Sequence, residues 1–414
     1  MEDKLKYWVW LAQAAGQGSK TVWNVLDHFD NDPEKVYNAE EDEIFASAKL
    51  RRNSLSAYCR KSLDDAEAIV EWCADNHTEI ITPDSDQYPA RLMDIINPPV
   101  VLYAAGKPLR LNDFLCVACV GTRDATDYGV NMAYTVSYDL SKAGAVIVSG
   151  LATGIDSTCH RAAIDAGADT VAVLGCGINV CYPPRNRSLM REIARNGTVL
   201  TEYPPDTKPI GKHFPLRNRI ICGMCQCTVV FEADDNSGSL ITADLARKQG
   251  RSLYAVPGNA GELNSIGTNK LIKAGATMVT DAIDIICDYE FLFPNRVHSD
   301  ILIPFEIEKP KKFLPFSLKK KRKEKDVQDD ADPDVTEKPK EAKPDTNDTD
   351  DQIINTLSAD EKTVLSSLSR VKAITAEQLF SIGLPIPTVL SALTTLEILG
   401  LAEALPGGAY IRKI

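Results

Sequence analysis

The chain has 414 residues, 44% of them hydrophobic, which is enough for two or three domains with a large core. A formal charge of −12 argues against a surface that is uniformly attractive to polyanions, and no apolar run approaches the ~20 residues that span a bilayer. The start, Met1-Glu2-Asp3-Lys4, lacks the layout of a signal peptide, and eleven scattered cysteines suit a reducing compartment better than a disulfide framework, so a cytoplasmic protein is expected.

Residues 1–75 are helical in pattern. Tyr7, Trp8, Leu11 and Ala14, then Val22, Trp23, Leu26 and Phe29, recur at spacings of three and four. Short turns around Gly16–Gly18 and Asn31–Pro33 separate them, predicting a small helical domain. Residues 76–111, with Pro83, Pro89, Pro98, Pro99 and the extended run Val100–Tyr103, read as a lead-in to the next domain.

From Leu115 the period changes. Strand-like runs occur at Leu115–Val120, Ala145–Val148, Thr170–Leu174, Thr198–Leu200, Cys227–Phe231, Ser252–Val256 and Thr277–Val279. Helical stretches between most of them fall at Gly129–Lys142, Ser157–Ala166, Asn186–Asn196, Ile241–Gln249 and Asn269–Ala274. Such alternation implies crossover connections and a parallel sheet covered on both faces, a Rossmann-like domain over 112–295. Residues 296–352, with the basic run Lys319–Lys325 and a polar stretch to Asp351, are expected to be a disordered charged linker.

Residues 353–414 predict one more compact unit. Ser358–Glu361 and Thr375–Gln378 both match the capping-box pattern, Pro387–Leu399 forms a third helix, and Leu401–Ile414 reads as a hairpin about Pro406-Gly407-Gly408. Three helices and a hairpin outline a winged helix. Its third helix carries no Lys or Arg, so this unit is expected to bind protein or support self-association, not duplex DNA.

Four glycine loops each follow an apolar run: Gly121-Thr122-Arg123, Ser149–Gly154, Ser237-Gly238-Ser239 and Pro257-Gly258-Asn259. Glycine permits close backbone approach, strand-to-helix turns aim free N–H groups outward, and an open parallel sheet gathers such turns along one edge. From Arg185 to Arg219 eight Arg or Lys face three acids. Phe214-Pro-Leu-Arg-Asn-Arg219 offers two guanidinium forks for phosphates and an aromatic face for an unpaired base. The alternative for these arginines is an internal salt-bridge network with Glu202 or Glu232, and for Arg123 a surface pair with Asp124 or Asp127. Tyr182-Pro-Pro-Arg185-Asn-Arg187 repeats the aromatic-plus-basic composition. Together these motifs favour nucleic acid.

Enzymatic readings fare worse. No Walker-type phosphate loop occurs, Val180 stands where a dinucleotide fingerprint needs its third glycine, and there is no Gly-x-Ser-x-Gly. Neither a metal nor a cofactor is expected. Cys116 and Cys119 lie in a strand on opposite faces, and Cys222, Cys225 and Cys227 read as core. His160 and His213 read as packed or surface residues.

In the order Val120-Gly-Thr-Arg, Ser149–Asp156, Tyr182-Pro183, Phe214–Arg219, Ser237–Thr242, Pro257–Asn259 and Gly267-Thr-Asn269, these motifs resemble the DNA-processing protein A family (DprA, also called Smf) over about residues 80–285. The resemblance implies an α/β chain with an extended Rossmann-like parallel-sheet domain, an N-terminal helical (SAM-like) domain and a C-terminal winged-helix-like domain. It further implies a non-enzymatic, dimeric recombination mediator that binds single-stranded DNA and loads RecA during natural transformation onto strands coated by single-strand-binding protein. Carried onto this sequence, the DNA pocket is expected to use Gly121, Thr122, Arg123, Gly150, Thr153, Gly154, Phe214, Arg217, Asn218, Arg219, Ser237, Gly238 and Ser239. Many members have lysine after Tyr-Pro; this chain has Pro184, so Arg185 or Arg187 is expected to take over that contact. The rival is a nucleoside monophosphate phosphoribohydrolase on a related fold. Pro257-Gly258 with Gly267-Thr268 resembles its loop, but Asn269 and Lys270 follow where that chemistry needs a carboxylate.

Overall fold

The structure, a computed structural model, describes residues 2–48, 52–302, 357–368, 374–375, 379, 384–399, 401–405 and 409–413. They belong to two compact units, Met1–Lys311 and Lys312–Ile414.

The first unit opens with α1 (Glu2–Ala15), α2 (Val22–His28), α3 (Pro33–Asn38), α4 (Glu41–Ala48), α5 (Arg52–Tyr58) and α6 (Asp64–Asp75). The periodic positions are their buried stripes: Trp8 and Leu11 from α1 share one core with Val22, Val25 and Leu26 from α2. Asp32 caps α3 by accepting the Glu34 N–H, with Pro33 in the first turn, where a missing N–H costs nothing. Trp10 sits edge-on to Tyr37 and Tyr58, with ring centroids 5.0 and 6.4 Å away.

The sheet elements follow in chain order: β1 (Thr78–Ile81), β2 (Leu102–Gly106), β3 (Cys116–Val120), α7 (Asp127–Lys142), β4 (Val146–Ser149), α8 (Ile155–Asp165), β5 (Thr170–Leu174), α9 (Arg187–Asn196), β6 (Thr198–Thr201), α10 (His213–Gly223), β7 (Cys227–Val230), α11 (Gly238–Lys248), β8 (Ser252–Ala255), α12 (Leu263–Lys273), β9 (Thr277–Met278) and α13 (Ile283–Tyr289). Nine strands form one sheet in the order β1-β2-β6-β5-β4-β3-β7-β8-β9. Each of the seven strands read from the sequence is there, and all seven run parallel. The lead-in contributes more than a connection: β1 and β2 extend the sheet beyond β6 as antiparallel strands.

Strand alternation sends Cys116, Ala118 and Val120 into one hydrophobic layer, and Val117 and Cys119 into the other. His160 is buried, hydrogen-bonded through Nδ1 to Thr170 Oγ1, and burial pushes its imidazole down to about 3. It is a neutral core residue.

The expected boundary at 295 needs correcting. Val297 is fully buried against Ile285 and Ile286, and the His298 N–H donates to Ala143 O at 3.0 Å. An apolar side chain after the last strand still had core to cover, so the fold continues through Leu302. The Lys319–Lys325 run and the rest of the expected linker, 303–352, lie outside the described residues.

In the second unit, Ser358 caps the helix Ala359–Ser367 with both bonds of the capping box to Glu361. The helix Ile386–Ile398 packs Val389, Leu393 and Leu396 into a small core with Val364 and Leu365. Ala402–Leu405 and Ala409–Arg412 pair as the hairpin, and Ile374–Thr375 joins as a third strand. Residues 376–378 of the second capping pattern lie outside the described residues.

Candidate nucleic-acid interface

Strands β3 and β7 lie side by side at the centre of the sheet. From them the chain leaves in opposite directions, β3 through α7 to β4 and β7 through α11 to β8. Loops diverging from such a switch point leave a crevice at the strands' carboxyl ends. Here it is a cleft of ≈550 Å³, walled by Gly121–Asp124 after β3 and by Asp234 and Ser237–Ser239 after β7. A second hollow of ≈260 Å³ shares Arg123, Tyr182, Phe214 and Arg217 with it and adds Gly150, Thr153, Pro183 and Arg185. Three guanidiniums face one carboxylate, Asp124, in this smaller hollow. The larger cleft sets two against three, so the positive charge concentrates beside Tyr182 and Arg185.

Helix α10 delivers the centre of the site. Its sequence does not look helical, because Pro215 and two arginines interrupt any apolar stripe and the helix is buried on most sides. Phe214 in its first turn stands between two cations, with the guanidinium carbons of Arg123 and Arg217 each 5.9 Å from the ring centroid. The half-exposed Tyr182 ring lies 5.3 Å from it at a tilt of 40°. Arg123 is exposed and makes no ion pair with Asp124 or Asp127.

Arg217 is only 4% exposed and forms the cleft floor. One terminal nitrogen donates to Gly150 O at 2.8 Å and to Val173 O, and Nε donates to Asn218 Oδ1 at 3.1 Å. On the other side of the same glycine, Asp156 Oδ2 accepts the N–H groups of Gly150 (3.1 Å) and Ala152 (3.3 Å). The Asp156 carboxylate, in the first turn of α8, is thus turned to the loop before that helix. Burial pushes the Asp156 carboxyl up, against the pull of Arg217, and pushes the Arg217 guanidinium down, against the pull of Asp156.

Glycine is needed at position 150 because a β-carbon there would lie 2.6 Å from the Arg217 guanidinium. Gly154 turns at φ +72° directly against the carbonyls of Thr122 and Arg123. Between them Leu151, fully buried, holds φ +57°, a left-handed conformation that costs a residue with a β-carbon energy and recurs in ligand-holding loops. At the far wall α11 begins with Ser237 capping the Ser239 N–H, while Gly238 is exposed with open space beside it. The positive end of an eleven-residue helix therefore faces the cleft.

Of the residues expected at the site, Gly121, Thr122, Arg123, Gly150, Thr153, Arg185, Phe214, Arg217, Asn218, Ser237, Gly238 and Ser239 line these two hollows. Three do not. Gly154 packs behind the Thr122–Arg123 backbone, Arg187 lies exposed at the start of α9, and Arg219 is buried in an ion pair with Glu202. The expectation that Arg219 faces a phosphate is thus corrected. Two residues on from Arg217, a helix turns its side chain by about 200° to the opposite face, where Glu202 waits. Tyr182 joins the site as Phe214's neighbour.

The Pro257-Gly258 loop is folded back on α12: Asn269 donates to Gly258 O at 2.9 Å and accepts the Gly258 N–H at 3.3 Å. That amide ties down the loop at the position where the phosphoribohydrolase reading needed an acid. Among the described residues no cluster of potential metal ligands occurs, and no helix is long and apolar enough to cross a membrane.

The family models and the curated relatives agree on one family. A sequence model described as DNA recombination-mediator protein A matches residues 79–290, and one described as the DprA winged helix domain matches residues 337–408. The chain is 35% identical to the DNA processing protein DprA of Streptococcus pneumoniae over 69% of its own length and 98% of the relative's. It is 42% identical to the Bacillus subtilis DprA over 49% and 68%. The X-ray structure of DprA from Streptococcus pneumoniae superposes with a TM-score of 0.61 at 32% identity, covering 68% of this chain and 97% of that one. The chain therefore belongs to the DNA recombination-mediator protein A family, DprA or Smf, whose members are DNA-binding recombination mediators and not enzymes.

Proposed function

We propose that the cleft over β3 and β7 holds an unpaired DNA strand and that the protein presents this strand to RecA. One observation carries the first half: Arg123, from the loop after β3, meets Phe214 and Arg217, some ninety residues on in α10, at one crevice with the α11 N-terminus opposite. Arg123 and Arg185 offer charge-assisted hydrogen bonds to phosphates, exposed amides add donors, and Tyr182 with Phe214 gives bases a stacking surface. Arg217 acts from the floor, as fixed positive charge.

Phosphate contacts are independent of sequence and release counterions, so affinity for an oligothymidylate should fall linearly in a log–log plot against salt. Arg123→Ala removes one exposed contact. Fluorescence anisotropy should show about tenfold weaker binding and a slope shallower by ~0.7, at an unchanged melting temperature. Wild-type affinity for this variant would remove the cleft from the mechanism. RecA loading, homodimerisation, a cytoplasmic setting and a role in natural transformation rest on the family resemblance. Loading is tested by RecA filament formation on strands coated with single-strand-binding protein, where Arg123→Ala should slow the gain given by the wild type.

A further inference from the structure

Helix α9 carries arginines at 187, 191 and 195, one every fourth residue, and therefore along one side. That side faces solvent. Leu189 and Ile193 on the opposite side are buried, and all three arginines are exposed. Among the described residues none of the three forms an ion pair or a hydrogen bond. The one acid of the helix, Glu192, is bonded to Arg161 and to Ser188 Oγ at 3.2 Å, and Arg195 adds only a lesser electrostatic pull on it, so the row keeps most of its charge.

The row is aligned with the cleft. Arg185, in the short turn that feeds α9, lines the smaller hollow, and Asn186 Nδ2 fastens this turn to the glycine loop by donating to Leu151 O (2.9 Å) and Ala152 O (3.2 Å). At its other end the helix runs into Gly197, which packs on the Thr170 backbone at the amino end of β5. Thus α9 crosses the sheet flank from the carboxyl edge, where the cleft opens, to the amino edge. By helical rise, residues 187 to 195 span about 12 Å, room for two or three phosphates at ~3.4 Å or more per phosphate.

We propose that α9 is a phosphate track continuous with the cleft, along which Arg191 and Arg195 grip the single strand where it leaves the carboxyl edge of the sheet. The proposal rests on reading the cleft as a single-strand site and extends it to these two arginines. Contacts of this kind neutralise backbone charge and read no base, so they add affinity only for strands long enough to reach past Arg187.

The test compares the full-length wild type with Arg191→Ala/Arg195→Ala on two labelled oligothymidylates, of about 6 and about 30 nucleotides, within and beyond the ~4–16 nucleotides of a single binding groove. The double variant should bind the long strand about tenfold more weakly, with a salt slope shallower by about 1.4, two contacts at ~0.7 each. Its affinity for the short strand should be unchanged, and Arg191→Lys/Arg195→Lys should retain the wild-type slope on the long one. Unchanged affinity for the long strand, or the same proportional loss at both lengths, overturns the proposal. Arg123→Ala serves as the parallel arm, expected to weaken both lengths. If it weakens neither while the double variant still loses the long strand, the cleft reading fails and with it the continuity of the track, and α9 alone is left as a strand contact.

Discussion

Replacing Arg217 with methionine separates the construction of the cleft floor from its use. The substitution keeps most of the volume and removes the donors to Gly150 O and Val173 O. A buried carbonyl stripped of its partner costs about 1–3 kcal/mol, and Asp156 loses the positive charge that opposes burial at its carboxyl. Since a buried charge left uncompensated costs about 3–5 kcal/mol and these terms overlap, a total loss of about 3–5 kcal/mol is expected. The pH dependence gives the sharper check. Burial already holds the Asp156 carboxyl above its ordinary value, and Arg217 opposes that rise. Without Arg217 it climbs further. An acid that binds its proton more tightly in the folded state makes stability fall as pH rises from the ordinary carboxylate value to the raised folded one, with no change above. The deficit of Arg217→Met should therefore be largest at neutral pH and shrink on acidification towards the ordinary aspartate range. Adding Asp156→Asn should flatten the dependence. Urea midpoints followed by circular dichroism across this range measure it. A deficit below about 1 kcal/mol, or one that ignores pH, refutes the account of the floor.

Three further outcomes follow from single contacts. Gly150→Ala forces a β-carbon to within 2.6 Å of the Arg217 guanidinium, so it should cost ~1–3 kcal/mol in a urea melt and weaken oligothymidylate binding at temperatures where the fold is intact. Arg219→Met should lose ~3–5 kcal/mol by stranding Glu202, while Arg219→Met/Glu202→Leu recovers most of it. Both variants should bind single strands as the wild type does below their melting temperatures, because Arg219 faces away from the cleft. Val297→Ala should lower stability by ~2 kcal/mol, as a fully buried side chain does, whereas a side chain in a disordered linker would change the melting temperature by nothing.

The sequence reveals what repeats. Seven short runs rich in Val at regular separation are legible as parallel strands, the inner ones because burial on both faces leaves them almost continuously apolar. β1 stayed hidden because Thr78 and Glu79 break its pattern at the sheet edge, where one side needs no partner. α10 was invisible for the opposite reason. Wedged against the sheet and the cleft, it carries Phe214, Arg217 and Arg219 for three separate tasks, and tertiary contacts replace any amphipathic stripe. The glycine loops were legible from composition, but Arg217 and Arg219 were not separable. Two identical residues two positions apart share every compositional signal, and only the helical rotation between them, sending one to the floor and the other to Glu202, assigns their roles.

That division of labour explains how an acidic chain can hold a polyanion. Guanidiniums at 123, 185 and 217 converge at one switch point, while the nearby acid Asp156 is spent on loop amides and Glu202 on Arg219. The repulsion from a net charge of −12 is largely screened beyond a Debye length of ~8 Å at physiological salt, and within that distance the local field decides. Adding salt acts on both: it weakens the long-range repulsion and, more steeply, the close contacts through counterion uptake. Binding should therefore weaken monotonically with salt, with no rise at the low end, if the crevice field dominates. A maximum at intermediate salt would mean that the global charge governs encounter and that the arginine cluster alone does not account for recognition.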